Sequence, residues 1–205
     1  QFEQEIPQKV VIFTESKRTQ KYIAAELRKT GFEDEDILLF NGDFDDTMTK
    51  EIYKAWQVKN FGKANYGRGV EYKHAIVDYF RHNAKILICT DAGSEGLNLQ
   101  FCNTVINYDL PAESEVYVHR IGRTARAGAD GQAIALCAPD EVGKARDIHK
   151  MLGRVLPVHA SSTELPAELL TVPGADRRQK NSARENGAPS RRQSRNGYSR
   201  SRSRR

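Results

Sequence analysis

The chain has few cysteines and lacks any long apolar run. Its 205 residues include three cysteines, Cys89, Cys102 and Cys137, without the Cys-x-x-Cys spacing typical of zinc sites, so neither a disulfide framework nor a metal site is predicted. No apolar run approaches the roughly 20 residues that a transmembrane helix needs, and the opening QFEQEIPQK is too polar for a signal peptide. These absences predict a cytoplasmic protein with reduced thiols and no membrane partner. Four histidines, at positions 74, 82, 149 and 159, show no metal-ligand spacing and are predicted to lie at the surface or at helix ends.

Positive charge is concentrated at the end of the chain. The whole chain has a net charge of +5, but residues 174–205 carry eleven Lys or Arg and two acidic residues, a net of +9, so residues 1–173 sum to −4. This segment is poor in apolar residues, which predicts a disordered tail. Tethered arginines bind nucleic-acid phosphates with little sequence preference, whereas the alternatives are a merely solubilising tail or contact with an anionic membrane surface. We predict that the tail binds RNA, with DNA possible, through Arg191, Arg192, Arg195, Arg200 and Arg202.

Residues 119–126 read HRIGRTAR and place Arg123 and Arg126 three positions apart. A guanidinium stays charged at any physiological pH, and its planar donors match phosphate oxygens, so such a pair can stabilise charge on a transferring phosphoryl group. The bland alternative is a solvated basic helix face. We place the two arginines at the start of a helical segment, and the apolar Val116 and Val118 before them predict that one side of the segment is packed.

A second segment, TDAGSEGLNLQ at residues 90–100, follows the apolar run at 86–89. The run predicts a buried parallel strand. Because open α/β folds bind ligands at the carboxyl edge of the sheet, the polar turn that follows is expected to contact phosphate. An ordinary connection from strand to helix is the alternative.

A third segment, at the front of the chain, has a predicted strand at 10–13 that ends in Thr14 and Ser16. Ser16 is a candidate N-cap for a helix that continues to about residue 29 and ends at Gly31. Hydroxyl and amide donors at such a strand end can bind a nucleic-acid phosphate. The side chains predicted to lie on the inner side of the helix are Tyr22, Ile23 and Leu27.

These three segments resemble helicase motifs. HRIGRTAR resembles motif VI of superfamily 2 helicases in the form typical of DEAD-box RNA helicases, TDAGSEGLNLQ resembles motif V in its Snf2-like form, and VVIFTESKRT resembles motif IV. Residues 9–111 resemble bacterial Snf2-like helicases, whereas residues 113–205, with VYVHRIGRTARAGADGQAIALCAPDE and the basic tail, resemble a bacterial DEAD-box RNA helicase. A join near Pro111 fits a natural recombinant, a designed chimera or a misassembled reading frame, and the sequence leaves these open.

Strands and helices alternate along residues 9–158, which predicts an α/β fold. The resemblance identifies it as a single RecA-like domain, a mostly parallel sheet with helices on both faces. An N-terminal extension at 1–8, a linker at 159–173 and the tail at 174–205 complete the predicted organisation. The predicted strands are 10–13, 37–40, 86–89, 104–107 and 132–137, and the predicted helices are 16–29, 46–56, 71–82, one from about 114, and 141–152.

The resemblance implies the C-terminal half of an ATP-dependent helicase or translocase. The chain has neither a P-loop nor an acidic magnesium-binding motif, so an N-terminal RecA-like domain, in cis or in trans, would hold most of the ATP and Mg²⁺. The isolated chain is therefore predicted to be inactive as an ATPase. The alternative is a stand-alone RNA-binding module without turnover. Gln1 is not a natural start, so the chain is expected to be a fragment.

Roles for individual residues follow from the resemblance. Arg123 and Arg126 would be arginine fingers. Asn98 replaces a motif V aspartate near the ribose, which predicts a weaker contact there, and no Gln-x-x-Arg pattern follows Gly42. The residues assigned to nucleotide binding or coupling are His119, Arg120, Gly122, Gly96 and Asn98, and those assigned to nucleic acid, besides the tail arginines, are Thr14, Ser16, Gly42, Thr90 and Asp91.

Overall fold

The described chain forms a five-stranded parallel sheet. The structure is a computed structural model, and it describes residues 8–44, 46–62, 66–123, 131–158 and 169. Every neighbouring pair of strands is parallel, and the strand order β2-β3-β1-β4-β5 confirms the predicted α/β sheet. The strands are β1 (Val10–Phe13), β2 (Ile37–Phe40), β3 (Ile86–Cys89), β4 (Thr104–Asn107) and β5 (Gln132–Ala135).

Six α-helices connect or follow these strands within the described residues. Two short 3₁₀ turns, Asp34–Asp36 and Pro139–Glu141, precede β2 and the last helix. Because none of the described helices combines sufficient length with sufficient apolar character, none could span a bilayer. The helices are α1 (Lys17–Lys29), α2 (Thr47–Lys59), α3 (Arg68–His82), α4 (Asp91–Ser94), α5 (Ser114–Ile121) and α6 (Val142–Leu152).

Apolar side chains of the strands alternate between the two faces of the sheet, as the two-residue period of a strand requires. Val11, Phe13 and Leu38 pack with α2 and α3 on one face. Ile12 and Ile88 pack with α1 on the opposite face. A fully buried aliphatic side chain contributes about 1.5–3 kcal/mol through removal from water, so both faces need helical cover, and the prediction of helices on both faces is confirmed.

A third apolar cluster joins α5 and α6. Tyr117 of α5 packs with Ala145 and Ile148 of α6. Leu169, which belongs to the predicted linker at 159–173, is buried in the same cluster. Glu141 begins α6 and accepts hydrogen bonds from the backbone amides of Leu110, at 3.0 Å, and Ala138, at 3.3 Å. The helix pair is therefore fastened to the segment that follows β4.

The helix α1 begins and ends as predicted, but one of its side chains does not face the side that was predicted. Ser16 is the N-cap of α1 and accepts a hydrogen bond from the Thr19 amide at 3.0 Å, and Gly31 lies just past the helix end with φ +99°. Tyr22 was expected on the inner side and is instead 55% exposed. Adjacent residues on a helix are about 100° apart, and Ile23 occupies the direction that faces the sheet.

Other boundaries also differ from the predictions. The helix α5 ends at Ile121 with Gly122 as its C-cap, so Arg123 follows the end of this helix, and residues 124–130, on which the predicted helical placement of Arg123 and Arg126 depends, lie outside the described residues. Strand β5 ends at Ala135, two residues before the predicted end, and Leu136 and Cys137 are exposed and lead toward a 3₁₀ turn. His149, one of the histidines predicted to lie at the surface or at helix ends, is in the last turn of α6, where it is buried and burial lowers the pKa of its imidazole.

Candidate nucleotide and nucleic-acid site

The three predicted motif segments meet at the carboxyl edge of the sheet. Phe13, Cys89 and Asn107 are the last residues of β1, β3 and β4, and they lie side by side in register. Thr90 follows β3 directly and is the N-cap of α4, where its hydroxyl accepts a hydrogen bond from the Gly93 amide at 3.3 Å. Because the strands are parallel, the polar residues that follow them lie at the same edge of the sheet, which is where α/β sheets bind ligands.

Two glycines allow the turn after β2 to approach α4. A Cβ atom added to Gly93 would lie 2.6 Å from the carbonyl oxygen of Phe40, a distance that no side chain tolerates without backbone movement. Gly42 has φ +86°, which favours glycine, and a Cβ there would lie 3.4 Å from the carbonyl oxygen of Ala92. The predicted nucleic-acid residue Gly42 thus packs directly against motif V.

Arg120 of α5 is buried at the centre of this edge, with a relative exposure of 2%. Its Nε and Nη2 donate to the two carboxylate oxygens of Asp91 at 2.7 and 2.6 Å. Its Nη1 donates to Asn107 Oδ1 at 3.1 Å and to the Asp109 carbonyl oxygen at 2.8 Å, and its guanidinium lies over the Phe13 ring at 5.1 Å. Its donors are therefore engaged by the protein, so in this arrangement Arg120 fits coupling between segments better than direct contact with a nucleotide.

The same network reaches the end of β1 through Asp109. Its Oδ2 accepts hydrogen bonds from the Thr14 hydroxyl at 2.6 Å and from the Glu15 amide at 2.9 Å. Thr14 is fully buried, so this structure does not support the direct phosphate contact that was predicted for its hydroxyl. Asp91 was also predicted to bind nucleic acid, but its carboxylate pairs with Arg120. Both residues instead hold the edge together.

Arg123 lies next to the motif V loop. Its Nη1 donates to the Leu97 carbonyl oxygen at 2.5 Å, and its side chain is half-buried. Leu97 is flanked by Gly96 and Asn98, two of the residues predicted to contact the nucleotide, and both are exposed. Among the described residues, the guanidinium of Arg123 contacts this neutral carbonyl oxygen and has no carboxylate partner. The arrangement therefore brings a cation and an open polar loop together at one edge.

The remaining predicted residues are divided between exposed positions and residues outside the described ranges. His119 is exposed at the end of α5, Gly122 caps that helix, and Ser16 is exposed at the start of α1. The structure does not describe Arg126 or the tail residues Arg191, Arg192, Arg195, Arg200 and Arg202.

Sequence reasoning missed two members of this network, Asn107 and Asp109. Both are polar residues at the end of an apolar run, which is the same signal that identified Thr14 and Thr90. Cys89, whose thiol was predicted to be reduced, is a free cysteine buried at the end of β3. Burial raises the pKa of the Cys89 thiol, so it remains protonated and is not a nucleophile. Within the described residues, no cluster of three or more His, Cys, Asp or Glu side chains could hold a metal ion.

Comparison with known proteins gives matches at the level of sequence. Residues 1–128 match the family described as helicase conserved C-terminal domain. The chain is 40% identical over 102 residues to the ATP-dependent RNA helicase DbpA of Escherichia coli (strain K12), an alignment that covers 47% of this chain and 22% of DbpA. The chain spans less than a quarter of the length of the first curated relatives that it matches.

Solved structures agree with the fold. The chain superposes on the E. coli DEAD-box protein SrmB with a TM-score of 0.58 and 20% identity, covering 80% of this chain and 84% of that chain. It superposes on domain 2 of the DEAD-box helicase Mss116p, solved with an RNA duplex, with a TM-score of 0.52 and 22% identity, covering 80% and 60% of the two chains. At this identity the likeness shows the RecA-like fold alone.

Proposed function

Because the chain belongs to the helicase conserved C-terminal domain family, in the form found in DEAD-box RNA helicases, we propose that it supplies the arginine fingers and part of the nucleic-acid grip of an ATP-dependent RNA helicase or translocase. The observation that carries this proposal is the position of Arg123 beside the Gly96–Asn98 loop at the carboxyl edge of the sheet. The resemblance of residues 9–111 to Snf2-like helicases remains a prediction, and DNA remains the alternative nucleic acid.

The chemistry suits a shared ATPase site. ATP and Mg²⁺, when held by the P-loop of an N-terminal RecA-like domain, supply the phosphoryl group and a countercharge. This chain would add the guanidinium groups of Arg123 and Arg126, together with polar contacts from Gly96 and Asn98. Within the described part of the chain, Arg123 hydrogen-bonds to a carbonyl oxygen and forms no ion pair, so it can exchange that bond for a phosphate oxygen without abandoning a carboxylate. His119, which is exposed on the same helix end, would contact the partner domain.

Closure of this domain against the P-loop-bearing domain would couple RNA binding to ATP hydrolysis. The Arg120 network ties the motif VI helix to the ends of β1, β3 and β4, so a movement of α5 on meeting the nucleotide is transmitted to the edge that carries Thr90 and Ser16. Binding of RNA and assembly of the ATPase site would therefore favour the same closed state, and hydrolysis could drive release.

The proposal is tested by combining the chain with the P-loop-bearing domain of a DEAD-box helicase and measuring RNA-stimulated ATP hydrolysis. We expect turnover from the mixture and none from either part alone. The absence of a P-loop favours a second candidate, a stand-alone RNA-binding module. RNA binding by the chain with no turnover in any mixture would select that candidate.

Deleting residues 174–205 is expected to weaken RNA binding and to flatten its dependence on salt. These residues carry a net charge of +9, and each phosphate neutralised on a single strand adds about 0.7 to the slope of log K against log salt concentration. The measurement is RNA affinity at several ionic strengths for the full chain and for a chain that ends at Pro173. An unchanged slope would show that the tail is not the electrostatic anchor.

A further inference from the structure

The outer side of α1 is a positively charged surface on an otherwise acidic body. The helix contains five basic residues and one acidic residue, a net of +4. Residues 1–173 sum to −4, so without α1 they would sum to −8. Positive charge is therefore concentrated on α1 although the rest of residues 1–173 is negatively charged, which indicates an anionic partner rather than a solubilising face.

Four exposed residues of α1 lie on one face. Arg18, Lys21, Tyr22 and Ala25 are spaced three, four and seven positions apart, so their side chains are neighbours on the helix surface. Lys29 continues the same line one turn further. From Arg18 to Lys29 the face is roughly 16 Å long, which is enough to follow several nucleotides of an extended strand.

The charged groups on this face are available. Within the described part of the chain, Arg18 and Lys21 form no ion pair, whereas Lys29 pairs with Glu26 at 2.7 Å and Arg28 pairs with Asp34 at 2.5 Å. Those two pairs are exposed, and exposed pairs hold their partners weakly. A polyanion could therefore engage Arg18 and Lys21 directly.

An aromatic ring lies between these cations. Tyr22 is 55% exposed, although the fold offers the adjacent apolar cluster that buries Ile23. Bases of single-stranded RNA have free π-faces that stack on such rings, whereas bases inside a duplex do not. Cations with an interleaved exposed aromatic side chain are the combination that single-strand binding surfaces use.

The face is continuous with the proposed RNA-binding edge. The helix α1 begins at Ser16, and Lys17 forms an ion pair with Asp43 in the turn after β2. The neighbouring Gly42 packs against Ala92 and Gly93 of motif V. A strand bound at Thr90 and Ser16 would therefore leave the edge along the start of α1.

We propose that the outer face of α1, defined by Arg18, Lys21 and Tyr22, binds single-stranded RNA that continues from the carboxyl edge. Arg18 and Lys21 contact phosphates, and Tyr22 stacks on a base. The inference rests on the proposed function, because it extends the RNA path of that same site. It extends the contact region from Arg18, at the end of the motif IV segment, to Lys21 and Tyr22, which lie outside the three motif segments.

The test measures the affinity of the full chain for a fluorescent single-stranded RNA oligonucleotide at several salt concentrations. The double variant Arg18→Gln with Lys21→Gln is expected to bind roughly tenfold more weakly, with a salt slope smaller by about 1.4, which is 0.7 for each of two phosphates. The matched control is Lys54→Gln with Lys59→Gln, which removes the same charge from exposed positions on α2, across the sheet from α1. Lys59 forms a surface ion pair with Asp78 at 3.6 Å, and such exposed pairs are weak. The control is expected to bind nearly as well as the wild type.

A second arm tests stacking. Tyr22→Ala is expected to weaken RNA binding roughly fivefold with an unchanged salt slope, whereas Tyr22→Phe is expected to bind as tightly as the wild type. On an abasic strand, which offers no base to stack, the two variants are expected to bind equally well. If Tyr22→Ala and the wild type bind base-containing RNA equally well, Tyr22 does not stack on a base, and the proposal that this face binds single-stranded RNA is overturned.

The remaining outcomes separate this inference from the proposed function. If the wild type binds RNA and the Arg18 and Lys21 double variant matches its control, the α1 surface is excluded while the RNA function stands. If the wild type binds no RNA at physiological salt, both fail. If the double variant loses binding only to phosphatidylserine vesicles and not to RNA, the partner is a membrane and the inference is overturned.

Discussion

Replacing Arg123 or Arg126 by alanine is expected to reduce ATP hydrolysis by roughly 10³-fold or more when the chain is combined with a P-loop-bearing partner domain. A finger acts on charge that develops as the phosphoryl group transfers, so the loss should appear in kcat and only weakly in KM. Arg123 already lies at the carboxyl edge, where its Nη1 meets the Leu97 carbonyl oxygen at 2.5 Å. Lysine at position 123 would restore charge but not the planar fork, and should recover little activity.

The matched control is Arg146→Ala, which removes an exposed arginine from α6. It is expected to leave both kcat and KM unchanged. Circular dichroism of each variant separates loss of chemistry from loss of fold. If the Arg123 and Arg126 variants turn over at the wild-type rate, neither residue is a finger, and the proposed ATPase role of this edge would have to be abandoned.

Arg120→Ala is expected to lower the free energy of unfolding by about 3 kcal/mol, at the lower end of the range for a broken buried ion pair. The substitution removes the two bonds to Asp91 and those to Asn107 and the Asp109 carbonyl, together with the contact above Phe13. The Asp91 side chain is 42% exposed, so water relieves part of the cost of leaving its carboxylate alone. The measurement is equilibrium unfolding in urea.

Arg28→Ala serves as the control for this stability experiment, since Arg28 pairs with Asp34 at the surface. Its removal should leave the free energy of unfolding almost unchanged. Arg120→Lys keeps the charge but loses the bidentate geometry and should fall between wild type and Arg120→Ala. A stable Arg120→Ala protein would mean that the buried network does not hold the edge, and Arg120 would then be reconsidered as a direct ligand contact.

The sheet could be predicted from the sequence because four of its strands are short apolar runs ended by polar residues. Ile86–Cys89 is the clearest case, since all four residues are buried. The fifth strand was predicted two residues too long, because the exposed Leu136 and Cys137 continue the apolar run past the strand end at Ala135. Hydropathy cannot distinguish an apolar residue in the core from one that the fold leaves outside.

The hydrogen-bond network of the site could not be predicted from the sequence in the same way. The partner of Arg120 is Asp91, 29 positions away, and only the packing of α5 over the strand ends brings them together. The motif resemblance assigned Arg120 to nucleotide binding or coupling and Asp91 to nucleic-acid binding, whereas the structure shows the two side chains bound to each other. In contrast, Ser16 was identified correctly because an N-cap depends on its immediate neighbours.

Leu169 also bears on how the chain can be dissected. Its side chain is buried in the same apolar cluster as Tyr117 and Ile148, although it lies seventeen positions past the end of α6 at Leu152. Any trimming of the arginine-rich extension must therefore stop on the carboxyl side of this leucine. A cut made earlier would expose the apolar cluster between α5 and α6, and a loss of activity would then reflect a destabilised fold instead of the missing tail.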